Sequence, residues 1–118
     1  MKRRRKLVEF YTALPQNAVG MEIEFDPGKD AKNIAERGIS LGEASALLSG
    51  FALERVDSRH EYGEIRVVAI GEIGGLEFVC VYTLRGGAIR LISLRRANRR
   101  ERNEYQQAKA ARRAADSA

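Results

Sequence analysis

Two glycine pairs, Gly74-Gly75 and Gly86-Gly87, divide the second half of the chain into three runs of β-forming residues. Glycine pairs of this kind adopt the positive φ angles of tight hairpin turns. The three runs are therefore predicted to be consecutive antiparallel strands, at Glu64–Glu72, Leu76–Leu84 and Ala88–Arg95. Such a meander is stable only when at least one of its faces is covered, so helices from elsewhere in the chain have to pack on it.

A strand and a helix are predicted in the first part of the chain that has a regular pattern. Met21–Phe25 alternates apolar and charged side chains, as a half-buried strand does. A helix is expected at about Pro27–Arg37, with Asp26 as its N-cap and proline in its first position. Within this helix, Ile34 and Ala35 are expected to face the core.

A capping box predicts a second helix, because Ser40 is followed three residues later by Glu43. The apolar residues expected on one face of this helix are Leu41, Ala44, Leu47, Leu48 and Phe51. A short strand at Ala52–Asp57 then leads into the meander.

The last predicted element is a helix from about Ala97 to Arg113, after which residues 114–118 are expected to fray. Its apolar stripe is thin, consisting of Ala97, Tyr105 and Ala108. The helix must therefore pack partly through the aliphatic stems of its arginines, or against a partner.

This order of elements predicts a single α+β domain. The domain has a mainly antiparallel sheet, two N-terminal helices and one C-terminal helix, and it spans residues 21–113. Residues 1–20 do not continue this pattern, and we expect them to be a flexible basic extension or the product of a start codon assigned too early.

Charge is distributed unevenly along the chain. Residues 1–20 hold five basic residues and one acidic residue, a net charge of +4. Residues 21–84 hold six basic and twelve acidic residues, a net −6, and residues 85–118 hold ten basic and three acidic residues, a net +7. The C-terminal third can attract nucleic acid or an acidic protein, whereas the acidic middle argues against uniform coating of a polyanion.

The composition excludes several classes of protein. The single cysteine, Cys80, rules out an internal disulfide, and its apolar surroundings predict a core residue in a cytoplasmic protein. The sequence has no glycine-rich phosphate loop and no metal-ligand cluster, so neither a cofactor nor a metal ion is expected. No apolar run is long enough to span a membrane, and Leu7–Leu14 is too short and interrupted for a signal peptide.

Arginine is concentrated where the last strand runs into the last helix. The stretch from Ala88 to Glu101 holds Arg90, Arg95, Arg96, Arg99 and Arg100. Guanidinium groups held on rigid backbone suit a phosphodiester or an acidic partner, although a solvated basic helix is the alternative. The two-residue period of a strand places Arg90 on the face opposite Arg95 unless a bulge intervenes.

A second group of residues suggests chemistry on RNA. Arg66 lies inside an apolar strand, so it should face a polar site or bond to a carboxylate such as Glu64 or Glu77. His60 and Glu61 lie in the polar loop before it, where an idle surface histidine is the alternative. Arginines can stabilise a phosphorane while histidine or glutamate moves the protons, so RNA cleavage without a metal ion is possible. The candidate set is His60, Glu61, Arg66, Tyr82, Arg85, Arg90 and Arg95.

Several blocks between Met21 and Tyr105 resemble one known family. They are Glu24–Lys29, Arg37–Ala44, Gly63–Arg66, Ile89–Ala97 and Arg99–Glu101. In these blocks the chain resembles the BrnT family, the ribonuclease toxins of BrnT/BrnA type II toxin–antitoxin systems. The resemblance implies a RelE-like fold, RNA cleavage that halts translation, and neutralisation by a BrnA-like DNA-binding antitoxin. The resemblance implies that the toxin contacts operator DNA only through that antitoxin.

The resemblance also carries functional positions onto this chain. The basic positions of the family fall on Arg66, Arg90, Arg95 and Arg96. Lys29 matches the lysine that follows Asp-Pro in the family, with RNA contact and packing both open as its role. Relatives commonly have histidine where this chain has Arg37, and a histidine at the position of His60 is frequent but not uniform.

Together these arguments predict a metal-independent endoribonuclease toxin. The residues expected to take part in cleavage are Arg66, Arg90, His60, Glu61 and Arg95. The residues expected to bind RNA are Lys29, Arg85, Arg96, Arg99 and Arg100. The alternatives are a degenerate toxin that only binds its antitoxin and helps to repress the operon, and an RNA-binding domain without chemistry.

Overall fold

A computed structural model describes residues 21–57 and 64–117 of the 118-residue chain. The elements, in chain order, are β1 (Ile23–Phe25), α1 (Pro27–Arg37), a 3₁₀ turn (Leu41–Glu43), α2 (Ala44–Leu48), β2 (Leu53–Asp57), β3 (Arg66–Ile73), β4 (Leu76–Arg85), β5 (Ala88–Arg96) and α3 (Arg99–Ser117). The predicted α+β architecture, with two N-terminal helices and one C-terminal helix, is confirmed.

The five strands form one sheet in the order β1-β5-β4-β3-β2. The meander from β2 to β5 is antiparallel, and its hairpins turn at the two glycine pairs, where all four glycines have positive φ. β1 returns to the far edge and pairs in parallel with β5, with Ile23 opposite Ile89. The first strand of the chain is therefore paired with the last, and this pairing joins residues that are more than 60 positions apart in the sequence.

One face of the sheet, here called the α2 face, packs against the 3₁₀ turn and α2. Its buried strand residues are Ala69, Cys80, Tyr82, Ile89, Leu91 and Leu94. Leu41, Ala44, Leu47 and Leu48 pack onto them from the helical side. Burial raises the pKa of the Cys80 thiol to about 12, as expected for the core residue that the sequence predicted.

The other face, here called the α3 face, is covered in part by the C-terminal helix. Its apolar cluster consists of Val68, Ile70, Val79, Ala97 and Tyr105, with Phe51, Leu53 and Val81 packed against it. The Tyr105 hydroxyl donates to the Phe51 carbonyl oxygen at 3.3 Å. The guanidinium of Arg112 lies 5.2 Å from the centre of the Phe51 ring, so α3 does pack partly through an arginine.

The second predicted helix differs from the expectation. It is divided into a 3₁₀ turn and a five-residue α-helix, and Phe51 lies beyond its end, on the α3 face. Ser40 caps the 3₁₀ turn by accepting a hydrogen bond from the Gly42 amide at 3.2 Å, and the Ser40 hydroxyl donates to Asp30 at 2.9 Å. Because Asp30 also accepts from the Leu41 amide, this corner is held by Asp30 rather than by the predicted Ser40–Glu43 box.

The inward face of α1 was predicted wrongly. Ile34 is 47% exposed and Ala35 is exposed, whereas Asn33 is buried. The Asn33 side-chain amide donates to the carbonyl oxygens of Ile39 and Leu94 at 2.9 and 3.0 Å, and it accepts from the Leu94 amide. A polar residue thus attaches α1 to β5, since it satisfies backbone groups that apolar side chains would leave unpaired.

The C-terminal helix begins after Asn98 and continues to Ser117, four residues beyond its predicted end. Among the described helices none combines the length and the apolar character needed to cross a membrane.

Substitution of Gly71 by alanine is expected to destabilise the fold. A Cβ atom at this position would lie 2.8 Å from Cγ of Leu47, which is fully buried in the core of the α2 face. Overpacking of this kind costs about 1–3 kcal/mol, so thermal denaturation should show a melting temperature lower by about 4 °C or more. The control is Gly50→Ala, where no atom lies within 4 Å of the added Cβ. Equal melting temperatures for the two variants would contradict this account of the packing.

Candidate nucleic-acid interface

A row of polar side chains crosses the α3 face of the sheet beyond the apolar cluster that α3 covers. In the strand register, Arg66 lies opposite both Asp57 and Thr83. Arg90 lies opposite both Thr83 and Glu24. Since residues directly opposite each other on paired strands share a face, all five side chains lie on the same side. We call Asp57, Arg66, Thr83, Arg90 and Glu24 the arginine row.

A bulge in β5 brings Arg90 and Arg95 onto one face. Val81 lies opposite Ser93 but Tyr82 lies opposite Leu91, so Ile92 is an extra residue. Without the bulge, the two-residue period would put Arg90 and Arg95 on opposite faces. With it, both lie on the α3 face, which resolves the alternative that the sequence left open.

The two arginines of the row flank one buried threonine. Arg66 and Arg90 lie on strands that are both neighbours of β4, so their backbones are about 10 Å apart, two strand spacings. Thr83, between them, is 1% exposed, and its hydroxyl donates to the Ile65 carbonyl oxygen at 2.6 Å. Two guanidinium groups at this separation can approach a single phosphate from opposite sides.

Arg90 has a carboxylate partner in the row. Its Nη1 atom donates to Oε2 of Glu24 at 3.0 Å, and the two side chains are 29% and 39% exposed. An ion pair with this exposure contributes little to stability and exchanges readily with solvent or with another anion.

For Arg66 the sequence predicted a polar site, or a bond to Glu64 or Glu77. Of these two carboxylates, Glu64 bonds Arg85 and Glu77 bonds Gln106.

Arg95 lies on the same face but in a different setting. Its Nη1 and Nη2 atoms donate to the two carboxylate oxygens of Glu101 at 2.9 and 2.8 Å. The Glu101 side chain is 6% exposed, and the two-point bond to Arg95 holds the pKa of this carboxyl below its usual value. Along β4, the partners of Arg95 and Arg90 are four residues apart, which is about 13 Å, and both terminal nitrogens of Arg95 are already bonded to Glu101.

Glu101 also completes the N-terminal cap of α3. Its carboxylate accepts from the Asn98 amide at 2.8 Å, and the Asn98 side chain accepts from the Glu101 amide at 2.8 Å. This reciprocal pair is a capping box. The Arg95–Glu101 ion pair therefore fixes the start of α3 on the sheet.

The residues predicted to bind RNA are dispersed over the surface. Arg85 lies on the α3 face, two residues beyond Thr83, and forms a 3.0 Å ion pair with Glu64. Arg96 lies on the α2 face, where its guanidinium is 5.4 Å from the centre of the Phe78 ring. Only Arg85 of this group shares the face and the end of the sheet with the arginine row.

The remaining predicted RNA-binding residues are exposed on helices. Arg99 and Arg100 form the first turn of α3. Lys29 is exposed near the start of α1, the helix that is attached to the 3₁₀ turn of the α2 side through Asp30. Lys29 is therefore not brought together with the arginine row.

His60 and Glu61 lie outside the described residues, so their predicted part in cleavage stays a prediction. The last described residue before them, Asp57, belongs to the arginine row. Tyr82 is a packing residue: it is buried on the α2 face, and its hydroxyl donates to the Glu54 carboxylate. Burial raises the pKa of Tyr82. Within residues 21–57 and 64–117 no group of three or more potential ligands is placed to hold a metal ion.

Sequence reasoning missed three members of the row, Asp57, Thr83 and Glu24. Thr83 is in register with Arg66 across the Gly74-Gly75 hairpin, a signal that the sequence could have given, whereas Asp57 pairs with Arg66 across a connection that neither glycine pair forms. Glu24 carried no such signal, because it reaches Arg90 only through the parallel pairing of the first and last strands.

Comparison with known proteins gives one family. The sequence profile of the ribonuclease toxin BrnT, of type II toxin–antitoxin systems, matches residues 25–101. No curated protein matches the chain. The matched range covers about two thirds of the sequence and contains Arg66, Arg90 and Arg95. The chain therefore belongs to the BrnT family of ribonuclease toxins of type II toxin–antitoxin systems.

Proposed function

We propose that this toxin is an endoribonuclease that cleaves RNA without a metal ion and thereby inhibits translation in the cytoplasm. The observation that carries the proposal is the arginine row, in which Arg66 and Arg90 flank a buried Thr83 on the α3 face. The strands fix the backbone positions of both arginines before the substrate arrives, which favours electrostatic stabilisation of a transition state.

In the proposed reaction, the ribose 2′-oxygen attacks the adjacent phosphorus. A base removes the 2′-hydroxyl proton, the new O2′–P bond forms, and the P–O5′ bond breaks as an acid donates a proton to the 5′-oxygen. Arg66 and Arg90 stabilise the negative charge that accumulates on the phosphorane oxygens. His60 and Glu61 are proposed as the groups that move the protons. The products are a 2′,3′-cyclic phosphate end and a 5′-hydroxyl end.

The surrounding residues support binding of a longer RNA segment. Arg85 is two residues, about 7 Å, from Thr83 along β4, within reach of a neighbouring phosphate. Arg99 and Arg100 add positive charge at the exposed start of α3. The contacts of Arg95 favour an indirect role, in which it positions α3 beside the RNA surface. Lys29 and Arg96 lie away from the row and would meet other parts of the RNA or the antitoxin.

A type II toxin has an antitoxin as its partner. We propose that this partner is a BrnA-like DNA-binding protein, through which the toxin would reach operator DNA. The net charge of +7 in residues 85–118 suits an acidic segment of such an antitoxin, which would cover the surface that otherwise binds RNA.

A second candidate function is supported by the ion pairs. Arg90 bonds Glu24 and Arg95 bonds Glu101, so both strand arginines could serve the fold alone. In that case the protein would be a degenerate toxin that binds its antitoxin and contributes to repression of the operon.

Induced expression of the full chain separates the two candidates. We expect growth arrest, and new RNA ends that carry 5′-hydroxyl and 2′,3′-cyclic phosphate groups. The purified protein should cleave total RNA equally well with and without excess chelator. Soluble, folded protein that leaves growth and RNA intact would overturn the ribonuclease proposal in favour of the degenerate toxin.

A further inference from the structure

A groove of about 540 Å³ lies between the β2 edge of the sheet and α3. Its apolar surface is formed by Leu53, Val68 and Ile70. Its polar lining residues are Glu54 and Arg55, from β2, and Glu104 and Gln107, from α3. The Glu54 carboxylate is turned to the α2 face, where it accepts from the Tyr82 hydroxyl, so the polar side chains that face the groove are Arg55, Glu104 and Gln107. The groove thus has an apolar floor and a few polar groups at its sides, which is the general make-up of a small-ligand site.

Two polar side chains of the groove are available to a ligand. Glu104 and Gln107 are three residues apart on α3, so they share one side of the helix. Both are exposed, and neither forms a side-chain hydrogen bond or ion pair with another described residue. By contrast, the adjacent Gln106 donates to the Glu77 carboxylate at 2.6 Å, outside the groove.

The groove adjoins the arginine row. Val68 is two residues from Arg66 on the same face of β3, and Arg55 is two residues from Asp57 on β2. This separation is about 7 Å along each strand. A nucleotide next to one whose phosphate is held between Arg66 and Arg90 could therefore extend into the groove.

The charges of the groove favour a base over a second phosphate. Arg55 and Glu104 balance each other, and the Glu104 carboxylate would repel a phosphate. A nucleobase is flat and neutral, so it can place one face on Leu53, Val68 and Ile70 while its edge meets the polar groups. Bases of single-stranded RNA are commonly bound in this manner, with hydrogen bonds to the Watson–Crick edge.

We infer that the groove is a subsite for one unpaired base of the RNA substrate, and that it prefers guanine. Guanine offers the O6 acceptor to a guanidinium and adjacent N1–H and N2–H donors to a carboxylate, which matches Arg55 together with Glu104. Uracil has no amino group to donate to Glu104. The inference rests on the proposed ribonuclease function, because it assigns part of that substrate to the groove.

The test compares cleavage-site preference among full-length variants. RNA of random sequence is digested by the wild-type protein and by the variants Glu104→Gln and Gln107→Ala, and the bases around each cut are counted. We expect the wild type to prefer guanine at a fixed position next to the cut, and Glu104→Gln to lower that preference about tenfold. At sites that have uridine at this position, Glu104→Gln should cleave at the wild-type rate, because uracil has no amino group that bonds Glu104. Gln106→Ala, one residue away and outside the groove, should retain the wild-type preference.

A second measurement does not depend on cleavage. Titration of the wild-type protein with GMP should shift the amide NMR resonances of groove residues on β2 and α3, and UMP should shift them at least tenfold less at equal concentration. Two results would overturn the base subsite and leave the ribonuclease function in place. The first is that the wild type and all variants cleave RNA with the same base preference, and the second is that GMP and UMP cause equal shifts. If the wild type cuts no RNA and GMP causes no shifts, both proposals fail. Shifts produced by the antitoxin but not by GMP would mean that the groove is a protein-docking surface.

Discussion

Replacement of Arg66 by alanine is expected to lower RNA cleavage by about 10²–10³-fold and to abolish growth arrest, with the fold retained. Arg66 lies near the start of β3 in the arginine row, and Arg90 lies opposite the same Thr83 on the other side. Alanine removes one of the two guanidinium groups proposed to stabilise the phosphorane. Because the row lies outside both apolar clusters, the core should not be altered.

The measurement is the initial rate of cleavage of a defined RNA, together with thermal denaturation and antitoxin binding. Arg66→Lys keeps the charge but loses the planar fork of donors, so it should recover only a small part of the activity. Arg113→Ala, which removes an exposed arginine from the last turns of α3, is the control for a general loss of positive charge. Wild-type toxicity of Arg66→Ala at equal expression would show that the arginine row is not the cleavage site.

Local patterns in the sequence were sufficient for the hairpins. The glycine pairs fix two tight turns whatever the rest of the chain does, and the β-forming runs on either side of Gly74-Gly75 leave little choice of register between β3 and β4. The same reasoning failed for Asn33, because its inward position is set by backbone groups of residue 94, which is distant in sequence. It failed for Phe51 because the helix ends at Leu48 and the chain then crosses to the α3 face.

The candidate site was predictable only in part, for a related reason. An arginine inside an apolar strand is conspicuous, and Arg66 is identified on that ground, whereas Arg90 is identified as part of the arginine-rich stretch from Ala88 to Glu101. Their position opposite the same Thr83 follows from the two hairpin turns. The place of Arg95 on that face depends instead on the bulge at Ile92, which the sequence of β5 does not predict, and the place of Glu24 depends on the pairing of β1 with β5. Long-range pairing is decided by the whole core, so Glu24 could be placed beside Arg90 only from the structure.

The proposed role of Arg95, which is to position α3, can be tested by changing its partner Glu101. Substitution of Glu101 by alanine is expected to lower the free energy of unfolding by about 2–4 kcal/mol at neutral pH. Loss of the carboxylate removes both hydrogen bonds from Arg95 and one half of the capping box with Asn98. Breaking a buried pair from one side typically costs about 3–5 kcal/mol, and the partial exposure of Arg95 reduces that figure. Urea denaturation measures the free energy of unfolding of each variant. The control is Glu104→Ala, one turn further along α3, whose free energy of unfolding should stay within about 0.5 kcal/mol of the wild-type value.

The difference in free energy of unfolding between the wild type and Glu101→Ala should depend on pH, and this dependence tests whether the ion pair with Arg95 is its cause. The pKa of Glu101 is lowered in the folded protein, first by its bond to Arg95, so its contribution is present above the pKa of the unfolded chain, about 4.3. That contribution is lost as the pH falls through the lower folded-state value. The gap between the wild type and Glu101→Ala should therefore be constant from pH 7 to about pH 5 and narrow below it. The pKa of Glu77 is lowered as well, by its bond to Gln106, but Glu77 is present in both proteins and its effect cancels. A gap that stayed the same down to pH 3 would mean that packing, rather than the ion pair with Arg95, is what Glu101 supplies.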